Sequence, residues 1–165
     1  MSSPRHGPNR FDNYASVHRT RIRQFEEWGF VVSDGTEFLP SRDLILLEGS
    51  IECQGNIYIV VTKTLAILDG EGPDAAVQTE NYSYNAVLRG VGNILRYDGP
   101  HTSPGVTDPI EHHNHHHKHI YDVLNGDKEG RVEVIQDEDR RPTLAEVIEE
   151  VADWYYTHFD QIQNM

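Results

Sequence analysis

The chain has 165 residues, enough for one domain with a buried core, and it sets 27 acidic side chains against 14 basic ones for a net charge of −13. Its single cysteine, Cys53, excludes an internal disulfide and a multi-cysteine zinc module. No apolar run approaches the roughly 18 residues of a membrane helix, and no charged-then-apolar leader opens the chain, so a cytoplasmic protein with no membrane partner is expected.

In chain order, residues 1–12 are expected to be disordered, because Pro, Gly, Ser and Arg dominate them; 13–165 then form one domain. The first 23 residues set five arginines against Asp12 alone, a net charge of +4. That suits contact with phosphate, or a solvated face pairing with the acidic body. Residues 14–30 read as a helix, with Val17, Ile22, Phe25 and Trp28 at roughly helical spacing and Gly29 as its stop. From Leu44 the pattern changes to strand. In Leu44–Cys53, Ile45, Leu47, Gly49 and Ile51 share a face; in 57–68, Ile57, Ile59 and Val61 oppose Tyr58, Val60 and Thr62. Gln54-Gly55-Asn56 links these two as a hairpin, and 70–74 is a loop. Residues 79–88 and 93–98 are two more strands, completing an antiparallel meander. Gly99, Pro100, Pro104 and Gly105 place 98–108 in a loop, and a short strand is possible at 131–135. The closing helix is the best-defined element. Thr143 and Glu146 make a capping box behind Pro142, and Leu144, Val147, Ile148, Val151, Tyr155 and Phe159 form one apolar stripe. The expected fold is α+β: an antiparallel meander of four to six strands, an N-terminal helix, and a C-terminal amphipathic helix packed on one face.

Residues 112–119 read His-His-Asn-His-His-His-Lys-His and hold six of the ten histidines. Imidazoles so crowded can ligate a metal, move protons near pH 7, or contact an anionic polymer. If the run is extended, His113, His115, His117 and His119 line one side and Lys118 the other. If it is helical, His112/His116 and His115/His119 become i, i+4 pairs with metal-ligand spacing. Tyr82 and Tyr84 share a face of one strand, and Arg96 and Asp98 share a face of the next. If those strands pair, all four can look onto one surface, from which Pro100-His101 departs. His112 and His113 read as solvated surface or accidental metal binders, and His158 and Cys53 as structural.

Three motifs follow one another in order: Tyr82-Ser83-Tyr84; Ile94-Leu95-Arg96-Tyr97-Asp98-Gly99-Pro100-His101; and His116-His117-Lys118-His119, followed by an acidic amphipathic helix. Over about residues 44–155 this combination resembles the TumE family, toxins of toxin–antitoxin pairs in bacteria and archaea. Asn85 stands where that family has a His, Thr102 where it has a second His, and His115 where it has a Pro. The resemblance implies a growth-inhibiting toxin and a neighbouring antitoxin, a helix-turn-helix DNA-binding protein. Three lysines against eleven arginines, with so many acids, also resemble the composition of proteins from salt-loving archaea. Concentrated salt screens charge over about 3 Å at 1 M.

Three functions are open at this point. The first is a metal-independent endoribonuclease acting on RNA. In it His101 and His119 or His117 are the base–acid pair, Lys118 and Arg96 neutralise phosphate charge, Asp98 orients an imidazole, and Tyr82 or Tyr84 stacks on a base or donates to phosphate. The second is a hydrolase or transferase with zinc, manganese or nickel on His101 and two of His115, His117 and His119, completed by Asp98 or Glu111. The third is a non-enzymatic module that binds a partner through the acidic helix or the Arg-rich start. A homodimer is compatible with all three.

Overall fold

The computed structural model describes residues 6–100 and 106–165. It has the expected α+β class. The strands are β1 (Asn9–Arg10), β2 (Val31–Asp34), β3 (Glu37–Pro40), β4 (Leu44–Cys53), β5 (Ile57–Asp69), β6 (Ala76–Leu88), β7 (Gly92–Asp98), β8 (His117–Ile120) and β9 (Arg131–Val134). The helices are α1 (Phe11–Glu27), α2 (Leu144–Thr157) and the short α3 (Phe159–Gln163). All nine strands join one antiparallel sheet of order β2-β4-β5-β6-β7-β8-β9, with β3 also on β4 and β1 on β6. The sheet therefore exceeds the expected four to six strands. The additions β1, β2, β3 and β8 are two to four residues long, too short to show alternation in sequence.

Residues 9–12, expected to be disordered, are instead β1 and the start of α1. The Phe11 amide donates to the Ala75 carbonyl at 2.9 Å, and Arg10 reaches Asp12 and Asp74 at 2.7 Å. At its other end α1 closes as Gly29 turns to φ +84°. Its amide then donates to Glu26 and that of Phe30 to Phe25, the paired bonds of a left-handed helix stop. The α2 start has both arms of the capping box foreseen at Thr143 and Glu146.

Strand alternation divides the sheet into two faces. On the inner face Leu47, Ile51, Ile59, Val61, Tyr84 and Ala86 are buried against Ile22 and Phe25 of α1 and Val147, Ile148, Val151 and Tyr155 of α2. Each buried Leu, Ile, Val or Phe among them contributes roughly 1.5–3 kcal/mol. The β4–β5 turn is held tightly under α2: Gly55 has φ +71°, and a Cβ there would lie 2.4 Å from the Tyr155 ring. Among the described residues no helix is long and apolar enough to cross a membrane.

Two stability outcomes follow from this packing. Ile148→Ala, at a fully buried site, should cost about 2–5 kcal/mol in urea unfolding. His18 on α1 bonds the Thr36 hydroxyl at 3.0 Å and packs on Phe38. Burial, against the opposing pull of Asp34, brings its pKa from 6.5 down to about 4. As pH falls the unfolded chain takes up that proton first, so stability should decline between pH 6.5 and about 4. Thermal melts of His18→Gln across that window should show a shallower decline.

Candidate metal centre

The pairing of β7 with β8 sets Asp98 opposite His117 and Arg96 opposite His119. The pairing of β6 with β7 sets Asn85 opposite Arg96 and Ser83 opposite Asp98. Side chains directly opposite each other share a face. These residues therefore lie on the outer face, away from the helices. A 3-10 turn at Glu111–Asn114 precedes β8. Asn114 ties it down, accepting from the Asp108 amide at 2.7 Å and donating to the Asp108 carbonyl at 3.1 Å. The turn swings His112 onto the strand, its ring centroid 4.9 Å from that of His117 and 5.6 Å from that of His119.

One ring nitrogen from each of His112, His117 and His119 lies within 4.8 Å of the others. His117 is fully buried, and its Nδ1 is 2.9 Å from the His115 carbonyl oxygen. A carbonyl can only accept, so Nδ1 carries a proton there, and Nε2 is the ring nitrogen turned toward Asp98. Asp98, also buried, places Oδ2 3.6 Å from His117 Nε2 and 3.7 Å from His119 Nε2. The Arg96 Nε–H fixes that carboxylate at 2.9–3.0 Å. Burial, reinforced by the neighbouring His117, holds His112 and His119 below the usual imidazole pKa, and the pull of Asp98 does not overcome it. At neutral pH both are therefore in the unprotonated form that a metal requires.

The structure separates several residues expected together. Tyr84 is paired with Tyr97, not with Arg96 or Asp98, so Tyr82 and Tyr84 stack 5.1 Å apart within the helix-covered core. The surface expected to carry Tyr82, Tyr84, Arg96 and Asp98 together does not form. Tyr82 and His116 share a hydrogen bond of 3.0 Å between the phenol oxygen and Nδ1. Lys118 also faces inward: it bonds Glu150 of α2 and lies 5.2 Å from the Tyr97 ring, whose hydroxyl donates to Glu150 at 2.8 Å. It is thus on the opposite side of the sheet from His117 and His119. His115 meets Glu111 at 3.0 Å across the turn instead of joining the three imidazoles. His101 lies outside the described residues.

His112, expected to be solvated surface or an accidental metal binder, is the third member of the cluster. No uniform period reveals it, because a 3-10 turn followed by a strand is neither helix nor extended run. Asn85 flanks the site on the same face with its side-chain oxygen buried and without a hydrogen-bond partner among the described residues. His158 caps α2 through Trp154, and Cys53 is buried in the core, as expected of structural residues.

No family model, no curated protein and no solved structure matches the chain.

Because Lys118 faces α2, Lys118→Met should lower stability by about 1 kcal/mol in urea unfolding, the scale of a partly exposed ion pair. The same variant should leave ion binding at the imidazoles unchanged by calorimetric titration.

Proposed function

We propose that His112, His117 and His119, with Asp98 beside them, hold a divalent cation, and that the chain is a metal-dependent hydrolase or transferase. The convergence of three imidazole nitrogens within 4.8 Å carries this reading. Two features support it: the backbone bond that fixes the His117 tautomer, and the carboxylate within 4 Å of two ring nitrogens. Three protein nitrogens suit zinc with an open position, and a carboxylate widens the choice to manganese. A bound ion of this kind supplies an activated water and polarises a substrate oxygen. Around it, Arg96 is partly exposed and offers N–H groups to an anionic substrate.

The motif order shared with the TumE family supports placing this chemistry in a toxin of a toxin–antitoxin pair, with a helix-turn-helix antitoxin as partner. The lysine-poor acidic composition supports a cytosol of concentrated salt. A second reading keeps the same imidazoles but no metal. Asp98 beside His119, with Arg96 next to it, is an arrangement that could serve acid–base cleavage of RNA.

Elemental analysis of untagged protein after dialysis in high salt separates the two readings. We expect near-stoichiometric zinc or manganese, lost in His117→Ala and in His119→Ala but kept in His115→Ala. Metal-free protein that cleaves RNA in the presence of chelator would replace the metal reading with the acid–base one. Induced expression should arrest growth, and His119→Ala should relieve the arrest while circular dichroism remains that of the folded chain.

A further inference from the structure

A cleft of about 500 Å³ opens on the inner face, between α1 and the first turn of α2. Its wall joins apolar Val17, Ile22, Leu144 and Ile148 to the cations Lys63 and Arg21. Lys63 sits mid-strand on β5, opposite Leu47 and Tyr82, so strand parity turns it beneath the helices, where it is 8% exposed. Its ammonium lies 5.0 Å from the centroid of the Tyr14 ring. Among the described residues it makes no hydrogen bond and no ion pair. A buried ammonium without an anion carries an uncompensated desolvation cost. The acid in the described wall, Glu146, does not answer it there. Its carboxylate turns back to the Thr143 amide and hydroxyl at 3.1 and 3.0 Å.

The cleft also meets the start of a 14-residue helix at Leu144 and Ala145. Their amides occupy the first turn, where N–H groups have no acceptor within the helix and the helix dipole is positive. The described wall thus sets two cations and these amides against one carboxylate, that of Glu146, inside a chain whose net charge is −13.

We propose that this cleft binds a small amphipathic oxyanion, an organic phosphate or carboxylate. Its charged head lies between Lys63 and the opening amides of α2, and its apolar body lies against Val17, Ile22 and Ile148. Burial, with Arg141 nearby, draws the Lys63 pKa down to about 8, and a bound anion would oppose both effects. The cleft lies on the opposite face of the sheet from the three imidazoles, so this site stands independently of the metal reading.

Calorimetric titration with phenyl phosphate and with benzoate, at fixed ionic strength with chelator present, tests the proposal; phenol is the uncharged control. We expect saturable binding of at least one anion and none of phenol, the two arms showing which oxyanion is preferred. Amide resonances of Leu144 and Ala145 should shift with the bound fraction. Lys63→Met removes a buried charge, so it should fold and melt at or above the parent temperature while binding at least tenfold more weakly. His119→Ala should bind as the parent does. The proposal is overturned if neither anion saturates, if folded Lys63→Met binds like the parent, or if the shifted amides gather at His112 and His119 instead.

Discussion

The two-residue period of β8 governs the chemistry of this molecule. Four positions, His117 to Ile120, divide between two faces because successive side chains of a strand point oppositely. His117 and His119 are sent to the outer face with Arg96 and Asp98, while Lys118 is sent to the helices and to Glu150. A one-residue slip would reverse all of these placements at once, moving the imidazoles into an apolar core. Register is therefore defended from both sides. Lys118, Tyr97 and Glu150 interlock within, and Asp98 with Arg96 and two imidazoles interlock without.

On that frame, Asp98 is the electrostatic centre of the outer face. A carboxylate buried to 2% exposure needs compensation, and Arg96 supplies a fixed cation on the same strand, two residues away. The Arg96 guanidinium thus sits against that carboxylate whether or not the imidazoles are charged. This explains why burial can prevail at His112 and His119 and hold them unprotonated beside a carboxylate. The division of labour is specific: Arg96 balances charge, the His115 carbonyl sets the His117 tautomer, and the tied-down turn at 111–114 brings in the remaining ring.

Much of the fold was legible in the sequence because long elements repeat their period. Leu44–Cys53 alternates along ten residues, burying Ile45, Leu47, Ile51 and Cys53, and the α2 stripe from Leu144 to Tyr155 is announced by its capping box. β1, β2, β3 and β8 were not legible, since two to four residues cannot display a period and their pairing partners are distant in the chain. The site divides in the same way. Alternation places Arg96 with Asp98 on one face and His117 with His119 on one side of an extended run, but that these two pairs meet follows from the β7–β8 pairing, which neither segment shows alone. His112 was missed because local hydrogen bonds from Asn114 and Asp108, and not a period, aim it. Tyr82 and Tyr84 were placed on the wrong face because face assignment across strands depends on register, and the pairing of Ser83 with Asp98 is not written in either strand alone.

The borders of the sheet bear on how the chain behaves in crowded solution. On one side β4 is flanked by two four-residue strands in succession, β2 with a register shift and β3 ending in Pro40, which has no amide to offer. On the other side β9 is again four residues long and carries the ion pair of Arg131 with Glu133 at 2.6 Å. Among the described residues neither border presents a long, flat, apolar ribbon of unpaired amides, the template on which strands from separate molecules stack. Short, kinked and charged borders of this kind disfavour the addition of a strand from a neighbouring molecule to the nine described here.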